Sequence, residues 1–182
     1  MGMVVVRTVI EYNENGFLAH VENYCGAYTR GKTRAEALGK LRGEIACYTL
    51  WATGEYLLAD EPLEIKVVQE KLSYLQICDA DTEVLFSTEK LPLSQEEYAS
   101  LKSLVIRSAR DFEQLYLSIP DKTQTALRPR QTFYDPMPRT AQEMYRHTNS
   151  VTSYYLGEIG VKAKNLANVV ENRSNALELI ES

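Results

Sequence analysis

Residues 4–51 constrain the fold of this chain more than any other segment, because a strand pattern passes directly into a helix pattern there. Apolar and β-branched residues dominate positions 4–12, and beyond the turn-forming residues 13–16 apolar and polar side chains alternate at positions 17–22. Such alternation gives a strand one buried and one solvated face, and a glycine-containing turn between two strands predicts a hairpin. A third short strand is predicted at residues 27–30.

A helix is predicted to follow the third strand. Thr33 and Glu36 have the spacing of a capping box, in which each side chain accepts a hydrogen bond from the backbone N–H of the other residue. The apolar residues beyond them recur at steps of three and four, which indicates a helix with one buried face, and Gly54 is placed to end it. The residues of this predicted face are Leu38, Leu41, Ile45, Cys47, Tyr48 and Trp51.

The period changes to that of helices in the second half of the chain. Capping-box spacing recurs at Ser94 and at Thr140, which predicts helices at about residues 95–118 and 140–160. The apolar stripe predicted for the first helix consists of Leu101, Leu104, Val105, Ser108, Phe112 and Leu115. The stripe predicted for the second consists of Met144, Thr148, Val151, Tyr155 and Ile159.

These patterns predict an α+β protein of two domains. Residues 63–68 supply a fourth strand, so residues 1–72 are predicted to form a small β-β-β-α-β domain. Residues 73–92 are predicted to be a connecting segment that contains one short strand at residues 83–86. Residues 93–182 are predicted to form an antiparallel helical bundle fragment, in which a last helical pattern ends near Ile180.

Composition and charge exclude several classes of protein. The chain has 45% hydrophobic and 25% charged residues, which is ordinary for a globular protein, and its net charge is −5. This balance argues against a nucleic-acid partner, because nonspecific affinity for nucleic acid comes from Lys and Arg. No segment approaches the about 18 apolar residues of a membrane span. The 3 cysteines lack paired spacing, and the short apolar run at the start does not resemble a signal peptide, so a reducing cytoplasm is the expected location.

The first domain resembles HicB-like antitoxin domains over about residues 4–70. The resemblance is carried by the hairpin strand at residues 16–22, by the turn-strand-turn at residues 25–33 and by the helix start at residues 36–38. It implies a partial RNase-H-like fold and, in the strict antitoxin role, a small mRNA-cutting toxin as partner. The DNA-binding module that usually accompanies such domains is not recognisable in this sequence.

The second domain resembles the start of DinB-like four-helix bundles over residues 91–182, most closely to about residue 160. The runs that carry this resemblance are residues 139–147 and 154–156. Many DinB-like proteins hold a divalent metal through three histidines, of which only His147 has a counterpart here. The resemblance therefore implies a metal-dependent transferase or hydrolase using His147 as an alternative function. Glu143, Glu158 or Asp111 could replace the absent histidines only by coincidence, because the resemblance does not imply them as ligands.

The candidate ligand-binding residues surround His147. His147 lies beside the predicted apolar stripe, so we expect a partly buried imidazole, and Tyr145, Tyr154 and Tyr155 could line a ligand pocket or fill the bundle. No catalytic residue is assigned: Cys25 has no neighbouring base, and no metal ligand set is complete.

A nuclease with Glu11, Glu22 and Glu44 as its acidic cluster is a further alternative. Glu11 and Glu22 lie on hairpin strands, where solvent-facing charges are ordinary, so this hypothesis is disfavoured.

The sequence favours a non-enzymatic binding or regulatory protein that needs no cofactor, a divalent metal being the minor alternative. The helical half would provide assembly or a ligand cavity, and a small protein or a small molecule would be bound. An incomplete bundle leaves an apolar stripe that either the sheet domain or a second copy of the chain must cover, and a homodimer is the prediction. The metal-dependent enzyme using His147 and the strict antitoxin are the alternatives.

Overall fold

The protein divides into two compact units, Met1–Leu93 and Ser94–Ser182. The computed structural model describes residues 3–57, 61–79, 81–132 and 136–182. The α+β class is confirmed, since the first unit contains a four-stranded mixed sheet and the second is helical. Part of the predicted loop before residue 140, at residues 133–135, lies outside the described residues.

The sheet of the first unit has the strand order β3-β2-β1-β4. Strands β1 (Val4–Asn13) and β2 (Gly16–Val21) form the predicted antiparallel hairpin, and β3 (Tyr28–Gly31) pairs antiparallel with β2. Strand β4 (Leu63–Leu72) returns parallel to β1 and extends four residues beyond its predicted end. The predicted order of three strands, a helical connection and a fourth strand is therefore observed.

The single predicted helix is instead two helices, α1 (Arg34–Gly39) and α2 (Leu41–Thr53). The Thr33 hydroxyl caps α1 as predicted, but the capping box is only half formed, because the Glu36 carboxylate accepts from the Lys32 N–H. The predicted Gly54 stop is present, at a φ of 79°. The helices are divided at Lys40, because the Ala37 carbonyl accepts hydrogen bonds from the Thr29 hydroxyl (2.6 Å) and the Lys40 N–H. A side chain that enters the ladder of backbone hydrogen bonds is a common cause of a helix break.

The core of the first unit lies between the sheet and these two helices. Its buried members come from β1, β2, the turn before β3, α1 and α2; they are Val6, Ala19, Val21, Ala27, Ala37, Leu41 and Ile45. Gly31 allows α1 to approach β3, since a Cβ at this position would lie 2.6 Å from the Ala37 nitrogen. A larger residue at this position would push α1 off the sheet.

Residues 81–90, the covering segment, lie against the other face of the sheet. The strand predicted at residues 83–86 is wrong, because the covering segment is bound by side chains of β4 and not by a backbone ladder. Gln69 Nε2 donates to the Leu85 carbonyl at 3.0 Å, and Lys71 Nζ donates to the Glu83 carbonyl at 3.1 Å. The sheet is therefore covered on both faces, by two helices on one and by the covering segment, which ends in a short 3-10 helix (Ser87–Lys90), on the other.

The helical unit consists of α3 (Gln95–Ser118), α4 (Ala141–Glu158) and α5 (Val169–Glu181). The capping boxes at Ser94 and Thr140 are formed as predicted, and the Asn168 side chain accepts from the Glu171 N–H to cap α5. Helix α5 packs against both α3 and α4. None of the described helices is long and apolar enough to cross a membrane.

The predicted stripe of α4 is wrong by about one residue around the helix. Met144, Tyr155 and Ile159 are exposed, whereas Thr152 and Leu156 are buried. The packed face contains polar residues that bond to α5: the Thr152 hydroxyl accepts from Arg173 at 2.9 Å, for example. A hydrophobic pattern does not detect such a face. The predicted stripe of α3 is wrong at three of its six positions, since Val105, Ser108 and Leu115 are exposed.

Candidate functional site

Tyr145, a predicted ligand-binding residue, is occupied by contacts within the helical unit. Its ring stacks on Phe112 and Tyr116, with centroid distances of 5.8 and 4.1 Å. Its hydroxyl donates to Glu113 at 3.1 Å and accepts from the Val169 N–H at 3.3 Å. Burial raises the pKa of the Tyr145 hydroxyl. Tyr145 therefore joins the three helices together and does not line an open pocket.

Tyr154 and Tyr155 lie on the outer surface of α4. They are 62% and 61% exposed, and their rings meet edge to face at 5.5 Å. Tyr154 is nine residues from Tyr145, which is two and a half turns, so the two side chains leave opposite sides of the helix. The structure therefore separates these tyrosines from Tyr145.

His147 is exposed, so the prediction of a partly buried imidazole is wrong. The cause is the rotated α4 face, which places position 147 on the solvent side. His147 and Tyr154 share that side, but seven residues of helix separate them by about 10 Å along the axis. In residues 3–57, 61–79, 81–132 and 136–182, no three His, Cys, Asp or Glu residues are grouped to hold a metal ion.

The exposed side of α4 carries an apolar surface that we call the α4 patch, defined as Tyr154, Tyr155 and Ile159. Ile159, the C-cap residue that directly follows α4, is 63% exposed, like the two tyrosines. Tyr155 and Ile159 are four residues apart, so they are neighbours on one side of the helix. The patch combines two aromatic rings with polar hydroxyl tips and one aliphatic side chain.

A buried carboxylate in the sheet unit was missed by the sequence prediction. Glu11, predicted to face solvent, is fully buried on β1 beneath the covering segment. Its carboxylate accepts hydrogen bonds from the Glu83 N–H at 3.0 Å and from the Thr82 hydroxyl at 2.5 Å. His20 Nε2 lies 3.6 Å from the same carboxylate. Glu11 is buried because it contacts residues 82–83, which lie about 70 positions away in the sequence. Local sequence patterns carry no information about such a contact.

The Glu11 cluster fits an attachment role better than a catalytic relay. In a Ser-His-Asp type relay, the hydroxyl and the carboxylate contact different nitrogens of the imidazole. Here, Thr82 Oγ1 at 3.4 Å and Glu11 both approach Nε2 of His20. The cluster therefore joins the covering segment to β1 and β2.

A second carboxylate attaches the other end of the covering segment. Glu22 accepts from the Thr88 hydroxyl at 2.9 Å and from Arg7 Nε at 2.5 Å. Glu44 lies on α2, which covers the opposite face of the sheet. The structure thus does not bring Glu11, Glu22 and Glu44 together as the nuclease hypothesis requires.

Cys25 is exposed in the turn before β3. Partial burial of its thiol, assisted by the Glu89 carboxylate, raises the pKa of Cys25. A raised pKa keeps the thiol protonated and weakly nucleophilic. This agrees with the expectation that Cys25 is inert.

Acidification is expected to destabilise the sheet unit through His20. Burial lowers the pKa of His20 below its usual value, although Glu11 and Glu89 oppose the shift. The unfolded chain then binds its proton at a higher pH than the folded chain, so the stability from neutral His20 is complete above about pH 6.5 and falls as the pH drops toward the folded pKa. The urea midpoint at about pH 5.5 should lie below that at about pH 7.5, by a smaller margin in His20→Gln. An equal margin in both proteins would contradict the assignment.

Comparisons of the chain with protein-family models, with curated proteins and with solved structures give no match. The HicB-like and DinB-like resemblances therefore depend on the sequence motifs described above. Function has to be argued from the surfaces and contacts of the chain itself.

Proposed function

We propose that this chain is a non-enzymatic protein-binding or regulatory protein, with a HicB-like scaffold in the sheet unit and a binding surface on the helical unit. The α4 patch is the observation that supports the proposal most strongly. Tyr154, Tyr155 and Ile159 are each more than 60% exposed. Clustered aromatic side chains are enriched at the centres of protein–protein interfaces, where a few of them contribute most of the affinity.

A protein partner fits the α4 patch better than a small molecule. Ligand pockets enclose most of the surface of their ligand, whereas these side chains project from the outside of a helix. A helix side that presents an aromatic ring and an aliphatic group four residues apart, as Tyr155 and Ile159 are, suits an apolar groove on another protein. The partner class we propose is therefore a protein with an apolar groove or concave face.

The architecture of the first unit supports the HicB-like part of the proposal. Its three antiparallel strands, helical connection and returning parallel strand have the element order that the resemblance implies. The carboxylates Glu11 and Glu22 bind the covering segment, which is a structural use of these groups. A small mRNA-cutting toxin encoded beside the gene would be the partner in the strict antitoxin role.

The proposal is tested by recovering the tagged full chain from its own cells. We expect one other protein in near-equal molar amount, and at least about a tenfold lower recovery with the double variant Tyr154→Ala/Tyr155→Ala. Tyr74→Ala is the matched control, because Tyr74 is a 91% exposed tyrosine in the sheet unit. Equal recovery with the double variant and the control would contradict the proposed surface.

The same preparation separates this proposal from a metal-dependent enzyme using His147. Elemental analysis of the purified chain should find no stoichiometric zinc, nickel or iron, and His147→Ala should leave partner recovery unchanged. A stoichiometric metal that is lost in His147→Ala would favour the enzyme.

A further inference from the structure

The outer edge of β4 is an open sheet edge. β4 is ten residues long and is the last strand of the sheet, with β1 as its neighbour. In the described part of the chain, the backbone groups on its outer edge make no hydrogen bonds. An edge of this length, about 33 Å at the usual rise per residue, is a template for pairing with another strand.

A bulge in β4 determines which side chains share a face. The pairing with β1 skips Val68, since Thr8 pairs with Val67 and Val9 with Gln69. Leu63 and Ile65 therefore face the helices before the bulge, while Glu70 and Leu72 face them after it. The 2.8 Å ion pair between Glu70 and Arg34 of α1 agrees with this assignment.

The opposite face of β4 carries four polar residues. They are Glu64 and Lys66 before the bulge, and Gln69 and Lys71 after it. Glu64 and Lys66 are exposed and form no ion pair with any described residue. Lys71 Nζ donates to the Glu83 carbonyl at 3.1 Å and forms a loose ion pair, 3.6 Å, with the half-exposed Glu83 carboxylate. The strand therefore presents an acidic residue at one end and a basic residue at the other.

When the β4 strands of two copies pair antiparallel, one register places these opposite charges next to each other. With a twofold axis between Val67 and Val68, Glu64 of each copy lies opposite Lys71 of the other. The dimer therefore contains this charge pair two times. The same register places Lys66 opposite Gln69. Directly opposed residues of antiparallel strands have their side chains on the same face of the sheet. Because of the bulge, the residues that this register opposes meet that condition.

The same register also covers apolar surface on the helix face. It places Leu72, which is 53% exposed, opposite Leu63 of the second copy. An axis through Val67 would instead set Glu64 against Glu70, which lie on different faces of the strand and cannot meet. An axis through Val68 would oppose Lys66 with Glu70, but these residues lie on different faces and cannot meet.

We propose that a second copy of this chain docks antiparallel along β4, so that two four-stranded sheets become one sheet of eight strands. The twofold symmetry closes the assembly at two chains. The alternating charges that permit this pairing also disfavour most other strands, which protects the edge from unspecific association. This interface is distinct from the α4 patch and does not depend on the proposed function.

Light scattering combined with gel filtration of the full chain tests the proposal. We expect twice the 20.7 kDa chain mass at micromolar concentration. Glu64→Lys places a lysine opposite Lys71 of the other copy at both symmetry-related positions, so it should weaken the dimer at least about tenfold. The charge swap Glu64→Lys/Lys71→Glu should recover most of the lost affinity. Glu14→Lys, an equal charge change in the exposed β1–β2 turn, should leave the dimer unchanged.

Hydrogen exchange gives a second readout that does not depend on a variant. Amides of β4 should exchange more slowly when the concentration of the unaltered chain is raised through the dissociation constant. A chain that stays at 20.7 kDa up to about 100 μM overturns the proposal. A dimer that Glu64→Lys does not weaken, or that leaves the exchange of β4 unchanged, overturns it equally.

Discussion

Replacing Leu41 by Ala should lower the free energy of unfolding of the sheet unit by about 2–5 kcal/mol. Leu41 is the first residue of α2, is fully buried and belongs to the core between the helices and the sheet. Truncation removes buried apolar surface and leaves a cavity that the surrounding strands can fill only in part. This is a large part of the stability of a small unit, since whole domains are stable by about 5–15 kcal/mol.

The single tryptophan makes this loss measurable in the full chain. Trp51 lies on α2, so its fluorescence in a urea titration follows unfolding of the sheet unit. Leu50→Ala is the matched control, because Leu50 lies on the same helix but is 39% exposed. This substitution should lower the free energy of unfolding by less than about 1 kcal/mol. A Leu41→Ala midpoint no lower than the control midpoint would contradict the assigned core.

Replacing Asn172 by Ala should destabilise the helical unit by about 2–4 kcal/mol. Asn172 is 1% exposed on α5. Its side-chain oxygen accepts from the Leu166 N–H, and its amide donates to the side-chain oxygen of Asn149 on α4. The substitution leaves these partners without their buried bonds and also opens a cavity.

Far-ultraviolet circular dichroism follows the loss in the helical unit. Asn175→Ala is the control, since it removes the same side chain three residues further along α5 at a half-buried position with no described hydrogen bond. The Trp51 fluorescence transition should stay in place in both variants, because that tryptophan belongs to the other unit. Equal effects of the two substitutions would show that the buried amide network does not hold α5 on α4.

The elements that local chemistry determines were predictable from the sequence. The side chains of Thr33, Ser94 and Thr140 each cap the helix that begins at the next residue, and the structure confirms all three caps. The hairpin followed from the turn at residues 13–16 and from alternation in its strands. These signals depend on neighbours within four residues, so the sequence contains them directly.

What escaped prediction depends on contacts between distant residues. The break between α1 and α2 comes from Thr29 on β3, and the burial of Glu11 comes from Thr82 and Glu83. The packed face of α4 was hidden for a related reason, because polar Thr152 forms part of it. Hydrophobic periodicity assumes that polar residues face water, and these residues do not.

The candidate binding residues were predictable only in part. Tyr154 and Tyr155 remain candidates because they are exposed, whereas Tyr145 has a packing role. The aromatic content of the run around His147 indicated where rings gather along the chain. It did not indicate which side of the helix each ring occupies, since that depends on the rotation of α4 against its neighbours.

Photocrosslinking at position 155 in living cells tests the binding function most directly. A photoreactive amino acid is placed there in the full chain, and the same substitution at Tyr74 is the control. The account predicts one discrete adduct with a different protein from position 155 and none from position 74. The absence of a discrete adduct at position 155, the same products from both positions, or an adduct only with a second copy of this chain would contradict the proposed function.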